Sequence, residues 1–169
     1  GEEGVGISKR SSSYSPIIES IKNSGIVSVT STGNSKYSGN GILIELYNYT
    51  GKTKLGTTVN SGIISGVSTG NSNESGNGIY VGASLANPLT STIGDIKNNG
   101  IISGVSTGNS SGSGNGIISR FGSSNIGDIY NNGIISGISA QSSVFSGRGI
   151  YSKAFSNSNS VARIGSILN

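Results

Sequence analysis

Gly100-Ile101-Ile102-Ser103-Gly104-Val105-Ser106-Thr107-Gly108-Asn109-Ser110-Ser111-Gly112-Ser113-Gly114-Asn115 is the stretch whose reading decides the fold. It holds one short β-branched run, then a Gly/Asn/Ser tract able to take positive-φ turns. So much glycine and β-branching argues against helix. Related stretches occupy 25–40, 62–77 and 133–148, and each opens with Gly-Ile. Gly-Ile returns nine times, at Gly6, Gly25, Gly41, Gly62, Gly78, Gly100, Gly116, Gly133 and Gly149, in steps of 19, 16, 21, 16, 22, 16, 17 and 16 residues. A fixed step alternating with an elastic one predicts an all-β coiled chain in which alternate turns carry loops. Uniform left-handed hexapeptide helices do not tolerate such variation, whereas a right-handed parallel β-helix absorbs loops at its corners. One turn per Gly-Ile predicts a β-solenoid of about nine turns, alternating 16-residue and 17–22-residue turns. At a ladder spacing of ~4.8 Å this would be a rod on the order of 40 Å long.

The longer turns begin at Gly6, Gly41, Gly78, Gly116 and Gly149 and open with alternating residues. Period two places Ile42, Ile44 and Leu46, like Ile79, Val81, Ala83 and Leu85, on one strand face. Their neighbours are expected to face solvent: Leu43, Tyr80, Ile118 and Tyr151 in one row, Glu45, Gly82, Arg120 and Lys153 in the next. The first row is a candidate contact strip for a carbohydrate, a partner or a neighbouring rod. Variable segments follow at Ser8–Pro16, Tyr47–Lys54, Asn87–Thr92 and Gly122–Asn125, leaving from the same point and so lining one side. Each long turn then converges on Ile-Gly-(Asp/Ser/Thr)-Ile-x-Asn, as in Ile93–Asn98 and Ile126–Asn131. Asn23, Asn60, Asn98 and Asn131 therefore predict a stacked asparagine ladder, and Ile26, Ile63, Ile101 and Ile134 are expected to stack beside it as structural rows.

Composition supports a thin core. Only 32% of residues are hydrophobic and 11% charged, yet Ile and Val recur at fixed places, which a disordered chain does not show. In a solenoid each turn buries its side chains only against its neighbours. With no Cys or His, the chain has no disulfide, no Cys/His metal site and no His-dependent catalytic arrangement. A net charge of +4 spread over few charges argues for no nucleic-acid partner, and no apolar span argues for membrane contact by this segment. The repeat is under way at both ends, so residues 1–169 are expected to form a single solenoid segment of a longer repeat protein.

Asp95 and Asp128 are the only aspartates, and paired carboxylates can serve acid–base chemistry. They occupy a slot that elsewhere holds Ser20, Thr57 or Ser166, which marks a turn or backbone-capping position, two turns apart and with no basic residue between them. Calcium repeats need an aspartate in every repeat, and phosphate loops need a Lys-Ser/Thr ending; both are missing. A Thr row at Thr32, Thr69 and Thr107 is expected on alternate turns only, which disfavours an ice-binding face, and it is lost at Ala140. Triplets at 48–50, 73–75 and 109–111 match the N-glycosylation pattern, as chance allows in so Asn- and Ser-rich a chain. No cofactor and no enzymatic activity are expected.

The recurring Ile-x-Asn-x-Gly-Ile-Ile-Ser-Gly with Gly-Asn-Gly-Ile resembles the passenger repeats of bacterial autotransporters, over Gly4 to Asn169. The resemblance implies a right-handed β-helix displayed extracellularly on the bacterial surface through an outer-membrane barrel, commonly serving adhesion. The partners it implies are a host or neighbouring-cell surface protein or glycan. Alternatives are a self-assembling extracellular fibre or surface-layer subunit, associating end to end or laterally, and a polysaccharide-binding or polysaccharide-cleaving β-helix.

Overall fold

Strand pairing in the chain is parallel in every registered pair, as stacking of successive coils requires. A computed structural model describes residues 5–12, 14–46, 51–83, 90–140, 144–154 and 160–169. Leu85, the triplet at 48–50, and parts of the variable segments at 8–16, 47–54 and 87–92 lie outside the described residues. Three sheets run the length of a β-solenoid. Sheet A contains β1 (Ile7–Ser11), β4 (Ile42–Leu46), β7 (Ile79–Ala83), β11 (Ile117–Arg120) and β15 (Ile150–Lys153). Sheet B contains β2 (Ile17–Asn23), β5 (Lys52–Asn60), β8 (Thr90–Ile93), β9 (Ile96–Asn98), β12 (Ser123–Ile126), β13 (Ile129–Asn131), β16 (Ala162–Ile164) and β17 (Ile167–Leu168). Sheet C contains β3 (Ile26–Ser31), β6 (Ile63–Ser68), β10 (Ile101–Ser106) and β14 (Ile134–Ser139).

The fold class is the one expected, but the turn count is corrected. Two Gly-Ile beats make one coil: Gly41-Ile42 opens sheet A, and Gly62-Ile63 opens sheet C of the same coil. Ile42 pairs in register with Ile79, one coil on, and Ile63 with Ile101. The coil openers Gly6, Gly41, Gly78, Gly116 and Gly149 stand 35, 37, 38 and 33 residues apart, giving about four coils. At ~4.8 Å per coil the described stack is roughly 20 Å long, half the expected rod. The error came from a dipeptide used twice per revolution, which doubles the apparent frequency.

The same dipeptide also has opposite phase at its two places. In sheet A the isoleucine points inward: Ile42, Ile79 and Ile117 are fully buried, with Ile44 and Val81 beside them. In sheet C it points outward, and the inward residues are the next ones, Ile64 and Ile102, flanked by Val27 and Ile135. Ile26, Ile63, Ile101 and Ile134 do stack in register, but on the outer face, where Ile26 is 73% exposed. Ile63-Ile64 offers an apolar residue to either face, so alternation alone leaves the phase open. The inward glycine fixes it: a Cβ at Gly104 would lie 2.0 Å from the Asn115 carbonyl oxygen.

Sheet B completes the interior with Leu55, Ile93 and Ile126 on one side of a bend and Ile21, Ile96 and Ile129 on the other. From the third coil on the strand breaks at this bend, between β8 and β9 and between β12 and β13. The connection from sheet A to sheet B is where chain length varies, spanning 12–16, 47–51, 84–89, 121–122 and 154–161 in successive coils. Ser8–Ser11, Lys52–Lys54, Thr90–Thr92 and Ser123–Asn125, expected within the variable segments, are strand.

Candidate functional site

The row Leu43, Tyr80, Ile118 and Tyr151 is brought together by sheet A, as its register demands, but it does not face solvent. The first three are fully buried and Tyr151 is 8% exposed, so the row is a second core and not a contact strip. Its cover is the Gly/Asn/Ser tract, folded back as a flap over the outer face of sheet A. Each flap has two left-handed residues separated by one: Tyr37 and Gly39, Glu74 and Gly76, Gly112 and Gly114, Phe145 and Gly147, all with φ between 59° and 68°. Paired left-handed residues reverse the chain sharply. Three of the first-position residues are not glycine, and their side chains drop onto the row. Tyr37 meets Tyr80 edge-on with ring centres 5.4 Å apart, and Phe145 stacks on Tyr151 at 5.6 Å.

The neighbouring row, Glu45, Gly82, Arg120 and Lys153, was also expected in solvent. Instead Glu45 is fully buried and Arg120 is 5% exposed. Arg10 donates to Glu45 through Nε at 3.0 Å and Nη2 at 2.8 Å. Glu74 accepts from Arg120 Nη1 at 2.9 Å and from the Tyr80 hydroxyl at 3.0 Å, with Lys36 Nζ 3.6 Å away. Two glycines make room: a Cβ at Gly112 would lie 2.3 Å from Arg120 Nη1, and one at Gly82 would strike the Tyr80 ring. Charges this deep persist only when paired and hydrogen-bonded.

Burial pushes the Glu45 carboxyl above the ordinary carboxylate range, against the opposing influence of Tyr37 and Arg10. Burial likewise raises the Tyr37 and Tyr80 hydroxyls, and Glu74 adds to both. Because folded Glu45 holds its proton more tightly than the unfolded chain does, its stabilising contribution is complete below the ordinary value of 4.5 and is lost as pH rises through the folded value. Wild type is therefore expected to gain in melting temperature relative to Glu45→Gln as pH falls from neutral toward 4.5. A difference constant with pH would mean that Glu45 does not titrate with unfolding.

Two asparagine columns hold the coils in register. At the B–C corner, Nδ2 donates to the next Oδ1 at 2.8 Å from Asn23 to Asn60, Asn60 to Asn98, Asn98 to Asn131 and Asn131 to Asn169. The column repeats on every coil, not on alternate turns. The second column, Asn40, Asn77 and Asn115, lies under the flaps and is fully buried. Asn40 Oδ1 accepts both the backbone N–H and Nδ2 of Asn77, and Asn77 Oδ1 does the same for Asn115. Sequence reasoning missed this column, although the Gly-Asn-Gly-Ile that opens three of the coils is its signal.

Asp95 Oδ1 accepts the backbone N–H of Asp128 at 3.0 Å, and Asp128 Oδ1 that of Ser166 at 2.8 Å. The aspartates are thus one coil apart, closer than expected, and their oxygens are engaged in capping the next coil. Lys97 lines an open depression with Asp95, Asn99, Tyr130 and Asn132, and Asp128 is not among its lining residues. Thr32, Thr69 and Thr107 are exposed, and the backbone bonds linking their strands put the row on successive coils rather than alternate ones. Among the described residues no group of three or more His, Cys, Asp or Glu is placed to hold a metal ion.

Exposed apolar residues occur on the last strands of sheet B, at Ile164, Ile167 and Leu168, and in columns on the outer face of sheet C. The outward columns of sheet C are Ile26, Ile63, Ile101 and Ile134; Ser28, Ser65, Ser103 and Ser136; then Thr30, Val67, Val105 and Ile138. Ile26, Ile134 and Ile138 are 73%, 54% and 56% exposed, and the other apolar members are half-buried. What these features define is a β-solenoid with ladder-locked coils, one loop-bearing corner and one bare apolar face. Comparison with models of known protein families, with curated proteins and with solved structures gives no match.

Proposed function

We propose that this chain is a structural and adhesive stalk segment of a bacterial cell-surface or secreted protein of the autotransporter type. The observation that carries the reading is the division of labour within each coil. Register between coils is held by the asparagine columns and the isoleucine interior, while chain length varies at the A–B corner alone. That is the arrangement of a stiff support presenting variable segments from one side. Contact with a protein or glycan of another cell would be made by those segments, with no bond-breaking chemistry required of the rod.

Antibody raised against the purified chain tests the placement. It is expected to label intact cells of the source bacterium, and brief external proteolysis should remove the label. Labelling only after permeabilisation would overturn the surface role. Beads coated with the chain are expected to lose retention on target cells when 84–89 and 154–161 are cut to the two-residue length of 121–122. Retention that survives would leave the segment as a spacer without adhesive function.

A further inference from the structure

We infer that the outer face of sheet C is a lateral docking surface for a second copy of this chain. None of the outward residues of β3, β6, β10 and β14 is charged. Two copies with the same +4 net charge can therefore meet here without setting like charges against one another. A partner recognised through charge has nothing to hold on this face, whereas a second copy needs only matching shape.

The relief is self-matching. A serine column, small and internally linked by Ser103 Oγ donating to Ser65 Oγ at 3.1 Å, runs between two taller apolar columns. A two-fold axis along the serine column lays the Ile column of each copy over the Thr/Val/Ile column of the other. Both faces repeat at the same ladder spacing, so contacts made by one coil are repeated by the next, as in stacked sheets with interdigitating faces. Exposed contiguous apolar faces of this kind mark interaction sites.

Area sets the strength. Four strands ~4.8 Å apart and about six residues long give roughly 400 Å² per copy, half of the ~800 Å² per partner of a standard stable interface. Association of this segment is therefore weak and reversible, and it strengthens with every coil added to the face. The inference is independent of cellular location: antibody labelling that failed to reach the cell surface would leave it untouched.

Sedimentation equilibrium over a concentration series tests it. The wild-type mass is expected to rise from 16.9 kDa toward twice that value in the upper micromolar range. Ile101→Lys combined with Val105→Lys should hold the mass at the monomer value, while Tyr130→Lys on sheet B should leave association as in wild type. The chain has no cysteine, so Ser103→Cys carrying a nitroxide reports on the face without a charge on it. Dipolar broadening that grows with concentration supports the inference, and should be absent for a label at Lys97→Cys. A wild type monomeric at all concentrations, association unchanged by the paired lysines in a protein that still melts like wild type, or a Ser103 label without broadening would each overturn it.

Discussion

Replacing Gly76 with alanine is expected to lower stability by about 3 kcal/mol or more, enough to unfold much of the chain at 37 °C. Gly76 has φ +65°, and a Cβ there would sit 2.3 Å from the Val105 carbonyl oxygen and 2.7 Å from the Ser68 nitrogen. The left-handed conformation alone costs an alanine about 1 kcal/mol. The steric term is larger because both opposing atoms are backbone. Nor can the flap retreat, since Gly76 N–H donates to the Ser38 carbonyl at 3.0 Å and its own carbonyl accepts from Val105 N–H at 2.9 Å. Gly25→Ala is the matched control: nothing lies within 4 Å of its Cβ position. Its effect is expected to stay within about 0.5 kcal/mol. Denaturant unfolding of the two variants distinguishes them, and equal stability would mean that Gly76 is not held against Ser68 and Val105 at the ends of β6 and β10.

Asn60→Ala is expected to cost about 2–4 kcal/mol, because several buried groups lose partners at once. Asn60 Nδ2 donates to the Gly62 carbonyl at 3.1 Å, Asn98 Oδ1 at 2.8 Å and the Ile101 carbonyl at 3.1 Å, and its Oδ1 accepts from Asn23. Asn60→Asp should be worse at neutral pH, since it turns an anion toward three oxygens, and should recover partly on acidification as the carboxyl takes a proton. Asn132→Ala, at an exposed position, serves as control and should melt close to wild type. If Asn60→Ala melts like Asn132→Ala, the column does not hold the coils together.

The asparagine column and the parallel strands were legible because each leaves a mark at a fixed interval. Asn23, Asn60, Asn98 and Asn131 stand two residues before a Gly-Ile, and a side-chain amide repeated at one register can bond the next copy of itself. The count of coils was not legible, since Gly41-Ile42 and Gly62-Ile63 look alike while serving different sheets. The fate of Leu43 and Tyr80 was hidden for another reason. Alternation tells which face a side chain takes, but not whether a second layer covers that face. The cover depends on left-handed backbone at Tyr37, Glu74 and Phe145, residue types that seldom signal it. The buried pair Arg120–Glu74, and the pairing of half-exposed Arg10 with buried Glu45, followed from the same cover, joining residues 46 and 35 positions apart.

The uneven corner between sheets A and B has a bearing on how such a chain can change. One crossing uses two residues, at 121–122, and another uses eight, at 154–161, while the ladders on either side keep step. Genetic insertion there alters what the molecule shows without altering how it stands. A foreign peptide spliced between β7 and β8 would be joined at both ends to strands of fixed height, and several spliced between the matching strands of successive coils would have anchor points about 4.8 Å apart. The fold is in that sense a ruled display board, with spacing set by the backbone and content left open to the genome.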